Sequence, residues 1–173
     1  HEVAIHEPKG GWSLQNLLRE HGAHAADSFK RAFPTLQSTF YDLETLDLDR
    51  ALDGADVVIA HEWNPPELIE RVNRKRAGGA KFRLLFHDTH HRGVTKAQVM
   101  AAYDLSAFDG VLAFGEVIRQ LYVRNGWAGQ AWTWHEAADT ALFTPLRGAR
   151  PVRDLVWIGN WGHRERSAEL AEV

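Results

Sequence analysis

The amino-acid sequence predicts an α/β fold built on a doubly wound parallel sheet. Short apolar runs alternate with helix-forming segments along the chain, which is the order that parallel strands joined by crossover helices require. The apolar runs, such as residues 56–60 and 82–86, show little alternation of polar and apolar residues, as is typical of strands buried on both faces. Glycine and proline separate most of these segments and mark their ends.

The first fifty residues give weaker signals than the rest of the chain. Ser13 is expected to cap the first helix, because a side-chain oxygen there can accept a hydrogen bond from the first helical turn. The predicted elements are, in order, a strand over residues 1–7, helices over 14–21 and 25–33, a strand over 38–43 and a short amphipathic helix over 46–52.

From residue 56 onward the pattern is clearer. Asn64 is expected to cap a helix that opens with Pro65 and Pro66, since proline suits the first helical turn, and Thr95 is expected to cap the next helix. With right-handed crossovers, this order gives a Rossmann-like sheet. The predicted elements are a strand over residues 56–60, a helix over 65–77, a strand over 82–86, a helix over 96–103, a strand over 109–114, a helix over 116–124, and strands over 131–134 and 154–158.

The composition is that of an ordinary folded domain. The chain has 173 residues, of which 45% are hydrophobic and 25% charged, enough for one domain with its own core. The net charge of -3 gives no sign of a polyanionic partner such as nucleic acid. The absence of cysteine excludes disulfides and thiolate metal sites and fits a reducing cytoplasm. No apolar run approaches the roughly 18 residues of a membrane span, so we expect a cytoplasmic protein without an integral membrane segment. The sequence leaves open whether the protein forms a homo-oligomer.

Polar side chains follow four of the predicted strands, at the point where each strand ends. In a parallel sheet the carboxyl ends of the strands share one edge, and ligands bind outside that edge. We therefore expect these side chains to gather at one rim. They are His61 and Glu62 after the first of these strands, Glu116 after a later one, His135 and Glu136 after the last, and the dense group His87, Asp88, Thr89, His90, His91 and Arg92.

Each of these groups also has a plainer interpretation. Glu116 opens a helix, where the helix dipole alone favours a carboxylate, and a loop rich in histidine can simply be exposed. No metal site is predicted, because the adjacent His90 and His91 would point apart on an extended loop and the spacing matches no zinc motif. Trp132 lies within a strand and is expected to pack against neighbours rather than bind a sugar.

Two segments resemble retaining glycosyltransferases of the GT-B fold. Residues 135–145 are similar to the stretch that closes the N-terminal domain in that family, although Glu-Ala-Ala stands where the family usually has Asn-Gly-Val. Residues 154–162 resemble the first strand of the C-terminal domain and its glycine turn. In detail the chain is most similar to the CgeB-like branch of the bacterial group 1 enzymes. The residues that match the family in the first segment are Asp139, Phe143 and Pro145.

The resemblance implies a two-domain enzyme that transfers a sugar from a nucleotide-sugar donor to an acceptor hydroxyl, with no metal and no cofactor. It divides the chain into an acceptor-side, Rossmann-like domain (1–146), a linker (147–153) and the start of a nucleotide-sugar-binding domain (154–173). It also implies that the family's first strand and glycine-rich loop would precede residue 1, and that this fragment alone is inactive. The residues expected to contact the donor diphosphate are Gly159, Asn160 and Gly162.

Within this interpretation His87 and His90 are the catalytic candidates, since an imidazole there would deprotonate or polarise the acceptor. Arg92 would offset phosphate charge. Two alternatives remain open: a sugar-nucleotide epimerase with the same fold, and a non-catalytic ligand-binding or interaction module. The residues expected to contact substrate are His61, Glu62, Asp88, Thr89, His91, Arg92, Glu116, His135 and Glu136.

Overall fold

A computed structural model of the chain describes residues 2–140, 143–145 and 148. The chain divides into two compact units, His1–Glu136 and Ala137–Val173, and the helices and strands of the described residues lie in the first. The predicted strand over residues 154–158 lies outside the described residues, and the domain boundary after residue 146 stays a prediction. The elements are β1 (Ile5–Pro8), α1 (Trp12–His21), α2 (His24–Ala32), β2 (Ser38–Tyr41), α3 (Leu48–Ala51), β3 (Val57–His61), α4 (Pro66–Ala77), β4 (Arg83–Asp88), α5 (Arg92–Thr95), α6 (Ala97–Met100), β5 (Gly110–Ala113), α7 (Glu116–Asn125) and β6 (Ala131–Thr133).

The strands form two parallel sheets. β1 pairs with β2, and β3, β4, β5 and β6 form a four-stranded sheet in that order, with helices between successive strands. The register places His61 opposite His87, His87 opposite Leu112, and Leu112 opposite Trp132. The prediction of an α/β fold with a Rossmann-like parallel sheet is therefore confirmed, and the arrangement is consistent with a doubly wound fold.

The core lies between the four-stranded sheet and helices α4 and α7. The buried face of α4 carries residues spaced as one side of a helix requires, and Ile69 at its centre is fully buried. Alternate residues of β4, such as Leu84 and Phe86, point into the same core and are also fully buried. Phe108 packs against both apolar clusters and so joins the two ends of the core.

The opposite face of β3 is exposed, which the sequence did not predict. Val57 is 53% exposed and Ile59 is 51% exposed, whereas all four residues of β5 are buried. The expectation of burial on both faces holds for β5 and is wrong for β3. The reason is position, since β3 forms one edge of the four-stranded sheet and β5 lies inside it. A continuous apolar run alone does not distinguish these two environments.

The first two helices add nothing to this core. α1 and α2 contain no buried residue, and Trp12 at the start of α1 is 77% exposed. Among the helices of the described residues, none combines the length and the apolar character that crossing a membrane would require.

Three predicted helix caps are wrong. Two of the polar side chains form other hydrogen bonds, and the third lies inside its helix. The side-chain amide of Asn64 donates to the carbonyl of His61 and accepts a hydrogen bond from the hydroxyl of Tyr41, so it fixes the turn after β3. Pro65 is the residue that directly precedes the helix. Thr95 ends α5 instead of starting a helix, and its hydroxyl donates to the carbonyl of His91. Ser13 lies inside α1, which begins one residue earlier.

Trp132 packs over Gly110 on the sheet face that bears His61 and His87, although 46% of its surface stays exposed. A Cβ atom at Gly110 would lie 2.3 Å from Cζ3 of the indole. We predict that Gly110→Ala lowers the free energy of unfolding by about 1 to 3 kcal/mol in urea denaturation, because the ring or the strand must shift.

Two comparisons control this prediction. Gly129→Ala should cost less, since nothing lies within 4 Å of a Cβ there. In a Trp132→Leu background the cost of Gly110→Ala should shrink. An equal cost in both backgrounds would show that the indole is not the obstacle.

Candidate functional site

The strands at the centre of the site run further than the sequence predicted, and this divides the polar residues between two faces. β3 ends at His61 and β4 at Asp88, not at residues 60 and 86. Successive side chains of a strand point to opposite faces, so His87 lies on the side of Leu85 while Asp88 enters the core beside Phe86. The predicted cluster over residues 87–92 is thus split: Asp88 is fully buried, and His87 is only partly so.

His61 and His87 lie at the centre of the rim, which is the edge of the four-stranded sheet at the carboxyl ends of its strands. They are partners in the parallel register, and their rings meet edge to face with centroids 5.2 Å apart. The backbone N–H of Trp63 donates to Nδ1 of His61 at 3.2 Å, which assigns the proton of the neutral ring to Nε2. Nε2 lies 3.3 Å from the hydroxyl of Thr89. Burial lowers the pKa of His61, with the nearby His87 second in effect, so this ring is a neutral donor at the rim.

Glu62 and Arg92 form an ion pair at the boundary between the core and the rim. Nη1 of Arg92 lies 3.0 Å from Oε2 of Glu62, whose side chain is fully buried. The guanidinium stacks over the ring of Trp63, 4.1 Å from its centroid. Burial raises the pKa of Glu62 to about 7, the charge of Arg92 opposes this shift, and the charge of Asp88 adds to it. The pair therefore has a carboxyl group that titrates near neutral pH.

Asp88 has a structural role in this arrangement. Its Oδ2 accepts a hydrogen bond from the hydroxyl of Tyr122 at 2.9 Å, and its Oδ1 accepts one from the backbone N–H of His90 at 2.9 Å. Burial raises the pKa of Asp88 although both hydrogen bonds favour the charged form. The carboxylate thus ties the turn after β4 to helix α7 and does not face solvent.

The turn after β4 brings the next histidines together. The rings of His90 and His91 stack with centroids 4.1 Å apart, so the expectation that they point apart is wrong. His90 also meets Trp63 at a near-perpendicular angle, with centroids 5.1 Å apart. The hydrogen bond from the His90 backbone to Asp88 bends the chain into a turn, and an extended loop does not form.

The ends of β5 and β6 contribute differently. Glu116 accepts hydrogen bonds from Arg119, Gln120 and Thr133, so its carboxylate is engaged in holding α7 to β6. His135 is exposed, and its Nδ1 lies 2.9 Å from the carbonyl of Phe114, to which it must donate. Its Nε2 therefore keeps the lone pair that a general base needs. The charge of Glu136 acts on His61, which places the end of β6 near the rim.

Sequence reasoning missed three aromatic residues of this site. Trp63 is 59% exposed beside Arg92, Tyr103 donates to the backbone carbonyl of Glu62, and Tyr122 donates to Asp88. Only Trp63 gave a usable signal, since it directly follows the polar pair at the end of β3. Tyr103 and Tyr122 reach the site from distant elements, and no local pattern shows this. The predicted diphosphate contacts Gly159, Asn160 and Gly162 lie outside the described residues.

Within the described part of the chain, no group of three or more histidine, aspartate or glutamate side chains is arranged to hold a metal ion. We also compared the chain with protein-family models, with curated proteins and with solved structures, and none of the three comparisons gave a match. The resemblance to glycosyltransferases therefore stays a prediction that rests on the sequence motifs.

The two buried tyrosines provide a matched test of the site's internal hydrogen bonds. We predict that Tyr122→Phe costs about 1.5 to 3 kcal/mol of unfolding free energy, because it leaves a buried carboxylate oxygen without its donor. Tyr103→Phe removes a hydrogen bond to a backbone carbonyl and should cost about 0.5 to 1.5 kcal/mol. Urea denaturation measures both values. A larger cost for Tyr103→Phe would contradict the role given to Asp88.

The raised pKa of Glu62 predicts a pH dependence of stability. The folded protein binds this proton more tightly than the unfolded chain, where the pKa is near 4.5, so the stabilising contribution is complete below 4.5 and is lost as pH rises through about 7. Relative to Glu62→Gln, the wild-type protein should therefore lose stability between about pH 5 and about pH 8, by at most about 3 kcal/mol.

The measurement is urea denaturation of both proteins across this pH range. Glu70→Gln is the matched control, because Glu70 is exposed and pairs only loosely with Arg74 on the surface of α4. Its difference from wild type should stay flat over the same range. A flat difference for Glu62→Gln as well would show that this carboxyl does not titrate near neutral pH.

Proposed function

We propose that this chain is the acceptor-side part of a glycosyltransferase that uses a nucleotide-sugar donor. The observation that carries the proposal is the pairing of His61 with His87 at the carboxyl ends of neighbouring parallel strands, next to the exposed Trp63 and the cation Arg92. Imidazoles donate and accept hydrogen bonds with hydroxyl groups, an indole stacks on a sugar face, and a guanidinium binds phosphate. These are the groups that a transfer between sugars and phosphates requires.

The fold supports this location for the site. Ligands of parallel α/β sheets bind outside the carboxyl ends of the strands, and the rim lies at that edge. Of the predicted contacts, His61, His87, Thr89, His90, His91, Arg92, His135 and Glu136 lie around the rim. Glu62 and Asp88 lie beneath it: Asp88 holds the turn at His90, and Glu62 lies beside Arg92.

In the proposed reaction the acceptor oxygen attacks the anomeric carbon of the donor sugar. A bond forms between these two atoms, and the bond from the anomeric carbon to the diphosphate oxygen breaks, so that the diphosphate leaves with the electron pair. The acceptor proton passes to an imidazole of the rim. His87 and His90 remain the proposed catalytic residues. His135 is a further candidate for the base, because its Nε2 keeps a lone pair.

The test is an assay of sugar transfer and of donor hydrolysis on the full-length protein. We expect His87→Asn and His90→Asn each to lower kcat by about a hundredfold, the usual size of a general acid–base contribution. His21→Asn is the matched control, since His21 lies on the exposed surface of α1 and far along the chain from the rim. It should leave kcat unchanged.

The same assay separates the alternatives. A sugar-nucleotide epimerase would release a free sugar whether or not an acceptor is present. A non-catalytic binding module would show no turnover with any uridine or guanosine diphosphate sugar. If wild type transfers sugar and both rim variants keep the full rate, these histidines do not carry the chemistry.

A further inference from the structure

Glu62 is a buried acid with an incomplete set of partners. Its side chain is fully buried, and among the described residues neither carboxylate oxygen accepts a hydrogen bond of good geometry. Arg92 approaches Oε2 to 3.0 Å, but as a neighbouring charge and not as a well-aligned donor. Burying a carboxylate in this way is costly unless the group is paired and hydrogen-bonded. Glu62 therefore binds Arg92 only weakly.

Arg92 reaches from this buried acid to the surface. Its side chain is 23% exposed, and Cζ of its guanidinium lies over the ring of Trp63, which is itself 59% exposed. A guanidinium carries five N–H donors in a planar fork that matches the oxygens of a phosphate. The contact with the exposed indole holds the guanidinium near the surface, so that a second anion can approach from the rim while Glu62 lies on the inner side.

We propose that Arg92 binds a phosphate group of the ligand, and that Glu62 is the internal counter-ion which this phosphate replaces, taking up a proton from solvent as it does so. The inference rests on the proposed function and specifies its ligand as a phosphate ester or diphosphate at this rim. The balance is simple: the carboxylate and one solvent proton become a carboxylic acid, and the phosphate supplies the negative charge that Arg92 then faces.

The charges around Glu62 favour this exchange. Asp88 from β4 is a second buried acid that disfavours the ionised form of Glu62, and Arg92 from α5 is the cation beside it. Tyr103 and Tyr122 approach as neutral phenols, since burial raises the pKa of each. Because the pKa of Glu62 is already raised to about 7, a further negative charge nearby is enough to protonate it at neutral pH.

Isothermal titration calorimetry of the full chain at about pH 7.5, in two buffers of different ionisation enthalpy, tests the exchange because it counts the protons taken up. The probes are inorganic phosphate, inorganic pyrophosphate and uridine diphosphate glucose. We expect pyrophosphate to bind with uptake of a fraction of a proton, counted after the change in the ligand's own ionisation is subtracted, because pyrophosphate also titrates around neutral pH. Binding of the nucleotide sugar with similar uptake assigns the site to the donor, whereas binding of phosphate and pyrophosphate alone assigns it to a phosphorylated acceptor.

Substitutions of Glu62 and Arg92 should change the affinity for pyrophosphate in opposite directions. Glu62→Gln removes the competing charge, so at pH 7.5 it should tighten pyrophosphate binding by up to about fourfold, the limit that a pKa of about 7 sets for this carboxyl, and lower the proton uptake. Arg92→Gln should weaken binding about tenfold or more, the size expected for a lost charged hydrogen bond. Arg83→Gln is the matched control, because Arg83 also pairs with a carboxylate, that of Asp109, but lies at the other end of β4.

Four outcomes would overturn the proposal: no binding of any probe, binding without proton uptake in wild type, weaker or unchanged binding in Glu62→Gln, or equal losses in Arg92→Gln and Arg83→Gln. The wild-type proton count needs no variant and stands even if Glu62→Gln does not fold. If the phosphate-binding proposal fails, the proposed function still holds for a glycosyltransferase whose acceptor is uncharged. Conversely, proton-coupled phosphate binding in a protein without transferase activity would reject the proposed function and keep this inference.

Discussion

The parallel register between β3 and β4 is the constraint on which the rest of the site depends. It sets His61 opposite His87 and, by the alternation of strand side chains, sends Asp88 inward. The backbone N–H of Glu62 bonds the carbonyl of His87 at 2.9 Å, so the register continues one residue beyond β3. A slip of one residue would exchange these faces, bury an imidazole and expose a carboxylate. The rim is therefore a direct consequence of strand pairing.

The acidic groups beneath the rim connect the sheet to the helices. Asp88 is joined to α7 through Tyr122, and Glu62 is joined to α5 through Arg92. Polar groups placed this deep stabilise the fold only when their partners stay in position, because an unpaired buried acid is costly. The arrangement explains why two carboxylates that carry no exposed surface still matter for a surface site: Asp88 holds the backbone of His90, and Glu62 places a negative charge beside Arg92.

Much of the fold was predictable from the sequence, because it is encoded locally. Apolar runs and their glycine and proline boundaries gave β3, β4, β5 and α7 to within about two residues. Helix caps were not predictable at Asn64 and Thr95, because each side chain uses a partner that only the folded chain brings near. The exposure of Ile59 depends on which strand is at the edge of the sheet, and no local pattern carries that information.

The polar residues of the candidate site were predictable from the sequence, but its tyrosines and its geometry were not. The sequence predicted that the residues after β3, β4 and β6 share one edge, because parallel strands end at one edge, and His61, His87 and Thr89 do lie together there. It could not show that Asp88 faces the core, because this depends on how far β4 runs, nor that Trp63 supports Arg92. Tyr103 lies 41 residues from Glu62 along the chain, and only the tertiary fold brings the two together.

The central claim is that this rim is where the ligand binds, and NMR of the imidazole side chains tests it most directly. The full-length protein is titrated with uridine diphosphate glucose and the ring resonances are followed. The account predicts that the signals of His61, His87 and His135 move while those of His21 and His24, in α1 and α2, stay fixed. Shifts confined to His21 and His24, or no shift at the rim with a bound ligand, would contradict it.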